Sequence, residues 1–376
     1  MIGAWVAGAA IALIGALAYA ELGAMLPAAG GQYAYYDLAS SGLVPVTTEE
    51  LLGDTAAKDA FAISGSNDEG LMPLREAIAS RYAVTSDRIS IAAGASGTDF
   101  QALLALLEPG DDVLIETPGY DPLIAVARAA GANVVRFERS WSKGFALAPY
   151  GVRTAPTPAT KLIVVSNAHN PSGAMASRDV LEQLGVMADA IGGRVLVDEV
   201  YAEAQHDDAP LPKAAATIGD VFVSTSSLTK AYGLAGLRCG WILASPTVSQ
   251  RVGEMRDIID GSGTFAAEQL SVKAFAQIDR LRARARSILS ENLAAARAMA
   301  HSHPQLEWLD PAAGTTALPR VKGVDGTSEL VDRLTRDHDT IVVPGRFLRV
   351  PRHIRIAFGG RAEMVKEALV RLDRAL

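Results

Sequence analysis

A chain of 376 residues with 49% apolar and 20% charged side chains can bury a core large enough for one large domain and a smaller one, and is neither disordered nor fibrous. The 35 Lys and Arg against 42 Asp and Glu leave a formal net charge of -7, with no basic run to serve as a nucleic-acid footprint, so any polyanion it binds is a small one. Cys239 is the only cysteine, which excludes an intrachain disulfide and points to a reducing, cytoplasmic compartment. The six histidines are scattered, and the close pair His301 and His303 before Pro304 reads as a solvated loop and not as a metal site.

Met1 to Ala20 carries no charged residue and has about the ~20-residue length that spans a hydrocarbon core. It lacks the basic leading region of a secretory signal. Gly8, Ala12 and Ala16 put small residues on one helical face, a surface that lets membrane helices approach. Trp5 to Tyr36, WVAGAAIALIGALAYAELGAMLPAAGGQYAYY, resembles a helix and following loop of amino-acid permeases of the amino acid/polyamine/organocation type, and the resemblance stops at Asp37. Three readings of residues 1–36 stay open: a hybrid reading frame, a membrane tether through residues 1–20, or a helix buried in a soluble fold. No comparable apolar span follows, so the segment alone makes no transporter. Residues 37–60 read as an N-terminal arm.

From about Phe61 onward, apolar runs of strand length alternate with amphipathic segments, the pattern of an α/β domain with a mostly parallel sheet and helices on both faces. The expected strands are Ile89 to Gly94, Asp112 to Thr117, Lys161 to Asn167, Arg194 to Glu199, Val221 to Ser226 and Cys239 to Ala244. A helix capped by Ser177 closes at Gly192 and Gly193. After Ser245 and Pro246 a charged helical stretch, Val248 to Ala300, leads into short β-like pieces at Gly314 to Val321, Thr340 to Gly345 and His353 to Gly360, and then a final helix. These divide the body into residues 61–245 and a smaller α+β part, 246–376.

Ligands of an open parallel sheet collect beyond the carboxyl ends of its strands. Asn170, in NAHNPSG, Asp198, closing RVLVD, and Lys230, in SSLTK, are placed there. An Asp at a buried strand end is costly unless paired, and a lysine past the neighbouring strand could be its partner in a plain ion pair. The neighbours add more: Tyr201 lies three residues beyond Asp198, Ser227 three before Lys230, and Arg238 eight after it. Ser, Lys and Arg converging on one point read as a phosphate cradle. Ala92 to Phe100, AAGASGTDF, adds a strand-to-helix turn whose free amides suit a phosphate.

Asn170, Asp198 with Tyr201, Ser227 with Lys230, Arg238 and Arg355, in this order and spacing, resemble the signature of aminotransferase class I and II enzymes, which are pyridoxal-phosphate (PLP) enzymes of fold type I. The resemblance covers Asp37 to Leu376. It implies that Lys230 carries PLP as a Schiff base and acts as the catalytic base. Asp198 would keep the pyridine nitrogen protonated, and Tyr201 and Asn170 would hydrogen-bond the ring oxygen. Ser227, Arg238 and the amides at Ala95, Ser96 and Gly97 would hold the phosphate, and Tyr120, in ETPGYDPL, would stack on the ring. Arg355, in HIRIAFGG, would clamp the substrate carboxylate, with Gly42, in SSGLVP, beside it. The substrates implied are an L-amino acid and a 2-oxo acid, handled by a homodimer.

The sequence departs from the family pattern in three places. NPHNPTG becomes NAHNPSG through Ala168 and Ser172. The tyrosine that reaches a neighbouring subunit's phosphate is absent from SGSNDEG, leaving Ser64 or Ser66 for that contact. The family's N-terminal arm is replaced by the permease-like segment, which puts dimerisation and specificity in question. The same site also serves a C–S β-lyase, or a PLP-binding regulatory module; for the latter, the DNA-reading domain that would precede it is not found, since residues 1–36 are apolar where it would be basic.

Overall fold

The computed structural model describes residues 35–53, 62, 65–153, 155–208 and 210–376. The membrane-tether reading of residues 1–20 and the candidate Ser64 lie outside them. Among the described residues, no helix is long and apolar enough to cross a membrane.

After a short β1 (Tyr36–Asp37), seven strands make the central sheet: β2 (Ile89–Ala93), β3 (Asp112–Thr117), β4 (Asn133–Glu138), β5 (Thr160–Ser166), β6 (Arg194–Asp198), β7 (Phe222–Ser227) and β8 (Cys239–Leu243). Their order is β2-β8-β7-β6-β5-β3-β4, and β8 runs antiparallel to both its neighbours while the other pairs are parallel. The fold is the expected α/β type. Sequence reading misses β4, an edge strand whose half-buried NVVRFE lacks the solid apolar run of the inner strands.

Consecutive strand residues point to opposite faces. Leu114, Ile163, Val165, Val195 and Val197 enter one apolar core, while Val113, Ile115, Leu162, Val164 and Leu196 enter the other. Both faces of the inner strands are therefore covered, as parallel sheets require. One layer contains the helices Gly94–Leu106, Asp121–Ala129 and Pro246–Ile259, whose apolar residues join the second core. The helices Met72–Tyr82, Arg178–Ala190, Ile278–Ser302 and Ala362–Ala375 contribute to the first. Ser177 caps its helix by accepting from the Val180 amide at 3.3 Å, and the chain turns away at Gly192, φ 65°.

The single helical stretch expected over Val248 to Ala300 is three helices, Pro246–Ile259, Phe265–Phe275 and Ile278–Ser302. The first break falls where Gly261 takes a left-handed φ of 66°. His301 lies in the last turn of the third helix and only His303 follows it, so the loop expected there begins two residues late. Short strands complete the fold: β9 (Leu306–Glu307) pairs with β11 (Arg320–Val321), and β14 (Ile354–Ala357) lies between β10 (Thr316–Ala317) and β13 (Val343–Pro344). β1 runs parallel to β12 (Thr340–Ile341). Beyond β1 the chain runs from β14 to the loop that follows β7: Ala357 donates to the Leu38 carbonyl at 2.7 Å, Val44 to Gly359 at 2.8 Å and Val46 to Gly233 at 3.0 Å.

Candidate active site

The parallel strands end at one edge of the sheet. Ser166, Asp198 and Thr225 stand side by side there, on β5, β6 and β7. Because β8 returns antiparallel, with Gly240 opposite Ser227 and the Leu228 amide donating to Cys239 at 3.0 Å, Arg238 is delivered to the same edge.

The helix Gly94–Leu106 starts at this edge without a side-chain cap, so the amides at Ala95 and Ser96 belong to a first turn that has no internal acceptors, while the Gly97 amide, four residues past the cap residue Ala93, opens the helical ladder. Arg238 lies against the start of that helix, its Nη2 donating to the Ala93 carbonyl at 3.1 Å. Gly94 makes this approach possible: its φ is 74°, and a Cβ there would stand 2.5 Å from Arg238 Nη2. Ser227 is fully buried and shares a 2.6 Å hydrogen bond with Thr229 Oγ1. Burial pushes the Tyr120 phenol up to about 12, against the opposing pull of Ser96.

Asp198 is buried and accepts from the Val200 amide at 3.0 Å. Burial pushes its carboxyl up to about 6, against the pull of that amide and of the Lys230 charge. Lys230 Nζ donates to Ser41 Oγ at 3.0 Å, and no direct ion pair joins it to Asp198, contrary to the simplest reading of two strand-end charges. Tyr201 is buried in a small cluster with Ala168, Val200 and Ala313, against which Ala95 packs.

Arg355, on β14, spans two acceptors: Nη1 reaches Asn170 Oδ1 at 3.3 Å and Nη2 the Ala39 carbonyl at 3.1 Å. Its buried Nε has no partner, and burial lowers its proton affinity from the ordinary guanidinium value. Gly42 passes beside Gly359, where an added Cβ would stand 2.2 Å from the Gly42 carbonyl oxygen. Ser66 is exposed and donates to Asp68 of its own loop at 3.3 Å.

Sequence reasoning misses several residues at this edge. Ser41 touches Lys230, and its carbonyl accepts from Thr315 Oγ1 at 2.8 Å. Asp99 is a buried carboxyl bonded to Thr225 Oγ1 at 2.6 Å. Glu116 and Arg139 form a buried ion pair at 2.8 Å, and the Ser166 amide donates to Glu116 at 2.8 Å. The signal for Asp99 was present, since an acid inside the apolar helical pattern GASGTDFQALLAL is anomalous. Ser41 and Glu116 carry no such mark.

The arrangement fits an elongated ligand with a phosphate at one end. A side chain on Gly94 would fill the phosphate cradle, Lys230 and Asp198 flank the middle, and the orphaned Nε of Arg355 leaves a guanidinium edge for a carboxylate at the far end. Pyridoxal phosphate and its amino-acid partner have these parts. The chain is 29% identical to a capreomycidine synthase of Streptomyces vinaceus over 90% of its length and 89% of the relative's. It is 27% identical to an arginine–pyruvate transaminase of Pseudomonas aeruginosa, covering 81% and 80%. The structure superimposes on a PLP-dependent aminotransferase of Streptococcus suis with a TM-score of 0.85 at 27% identity, over 92% of this chain and 94% of that one. The profile of aminotransferase class I and II matches residues 31–372. The chain belongs to the aminotransferase class I and II family, whose cofactor is pyridoxal phosphate.

Proposed function

We propose that this protein is an aminotransferase that moves the amino group of an L-amino acid to a 2-oxo acid, with Lys230 as the residue that binds the cofactor and carries protons. The observation that supports this best is the meeting, at one sheet edge, of Lys230, the buried Asp198 and the Arg355–Asn170 pair. Bound there, pyridoxal phosphate would supply an aldehyde that captures amines and a ring that withdraws electrons from the substrate α carbon.

The amides at Ala95, Ser96 and Gly97, with Arg238 and Ser227, would hold the phosphate. Asp198 would hold the proton of the ring nitrogen by charge. Tyr201 and Asn170 would donate to the ring oxygen, and Tyr120 would cover one ring face. Arg355 would take the substrate carboxylate beside Gly42 and so orient the α C–H bond. Lys230, held by Ser41, would accept the substrate α proton and return it. The protein would work as a homodimer in which the exposed Ile258 and Ile259 are covered by the partner; sedimentation of the loaded protein as a monomer would remove that part.

Borohydride should fix the cofactor covalently to Lys230, as read by mass spectrometry of the peptide, and Lys230→Ala should abolish the labelling. An accepted amino acid should then change the visible cofactor spectrum, and a 2-oxo acid should restore it. Failure of borohydride labelling at Lys230 would sink the reading.

A second reading keeps these residues and follows another bond, elimination or ring closure, and the synthase relative supports it. The two separate by omitting the 2-oxo acid: transamination then stops after one equivalent of amino acid, whereas elimination or cyclisation turns over.

A further inference from the structure

Asp99 lies one turn into the helix whose first amides line the candidate cradle, and it is 3% exposed. Its Oδ1 accepts from Thr225 Oγ1 at 2.6 Å. Thr225 is also the residue paired in register with Asp198, which is 4% exposed. Two carboxyl groups from a helix and a strand therefore meet at one threonine in a water-poor space.

The charges around them decide what this pair can be. Asp198 has the Val200 amide and the attraction of Lys230, from the loop after β7; Glu116 on β3 repels it. Asp99 has one hydroxyl donor and the repulsion of Asp198, and no cation compensates it. Tyr120, ahead of the helix Asp121–Ala129, feels both carboxyls, and its own phenol is neutral at physiological pH. A single cation that acts on Asp198 alone cannot support two adjacent buried charges, so a proton must stay on one of the carboxyls. Asp99, the less supported of the two, is the one driven well above the ordinary carboxylate range.

We propose that Asp99 is a positioning residue, a neutral carboxylic acid held beside Asp198 by Thr225, which keeps the pair at a single negative charge centred on Asp198. This deepens the reading of Asp198 given above and rests on it. One proton is involved: it stays on Asp99 as an O–H, and the charge on Asp198 would be the counter-ion of a protonated ring nitrogen. If both carboxyls were ionised, the site would carry a second negative charge with no partner. If neither were, the ring proton would lose its counter-ion.

Infrared spectroscopy of the full chain without added cofactor reads this directly, because protonated carboxyls absorb apart from carboxylates. At pH 7 the wild-type spectrum minus that of Asp99→Asn should show one buried carboxylic-acid band. In Asp198→Asn, the midpoint at which that band disappears should fall by about one pH unit or more, since the repelling neighbour is gone. In Thr225→Val the midpoint should rise, since the hydroxyl that favours the charged form is lost. No band lost in Asp99→Asn, or a midpoint that ignores Asp198, overturns the proposal. Should Asp99→Asn fail to fold, the opposite shifts of the other two variants carry the test. Borohydride labelling of Lys230 is independent of these spectra, so failure of the cofactor assignment is distinguishable from failure of the carboxyl pair.

Discussion

Arg355 makes its two contacts with two different nitrogens, to Asn170 Oδ1 and the Ala39 carbonyl, which a lysine cannot reproduce. A charged hydrogen bond is worth about 1.5–3 kcal/mol, so Arg355→Lys should raise KM for the amino donor by roughly 10- to 100-fold, with kcat less affected. Steady-state kinetics giving an unchanged KM would take the carboxylate away from Arg355. The position of Asp198 was legible because it closes the apolar run RVLVD, and those of Ser227 and Lys230 because they stand at and just past the end of the next strand. The partner of Asp99 was not, because Thr225 is 126 residues away in sequence and only the pairing of β6 with β7 brings it beside Asp198. Ser41 was hidden for the same reason, at a separation of 189 residues from Lys230.

The turn from β2 into the helix Gly94–Leu106 ties backbone shape to the cradle. Gly94 combines a positive φ with a guanidinium where its Cβ would be. Gly94→Ala should cost about 1–3 kcal/mol in strain and also push Arg238 away, lowering both the melting temperature and the affinity for the cofactor. A variant with wild-type cofactor affinity would show that Arg238 does not need this approach. Strands β3, β5, β6 and β8 were readable because burial on both faces demands apolar runs, whereas β7 was marked only by its apolar start, since its buried STSS is polar. β4 was not, since Arg136 interrupts an edge strand that needs only one apolar face. The break between the helices Pro246–Ile259 and Phe265–Phe275 follows Gly261, a residue visible in the sequence but masked by the charged pattern on either side.

For the whole molecule, buried acids and buried imidazoles set opposing pH trends. Glu199 is buried and accepts from the Ala215 amide at 2.9 Å, and burial pushes its carboxyl from 4.5 to about 8. The folded state therefore binds the proton more tightly than the unfolded one. The stability from this group is fully present below pH 4.5 and is lost as pH rises to about 8. His169, held between Ser172 Oγ at 2.6 Å and the Pro118 carbonyl at 2.9 Å, is depressed from 6.5 to about 4. Its contribution is present above 6.5 and is lost as pH falls to about 4. Glu199→Gln should flatten the decline of melting temperature between pH 4.5 and 8 and leave the acid limb intact; an unaltered decline would place its origin elsewhere. The α/β class was legible at this scale because strand and helix periods alternate along the chain. The crossing of residues 38–46 between β14 and the loop after β7 was not, because it is fixed by backbone hydrogen bonds that any sequence could make.

That crossing segment also works as a caliper. Ala39 receives Arg355 and Ser41 receives Lys230, and two residues of backbone reach at most about 7 Å. The guanidinium proposed to take a carboxylate and the amine proposed to move a proton are thereby both anchored to one short stretch of chain, so a shift of that stretch would move the two together.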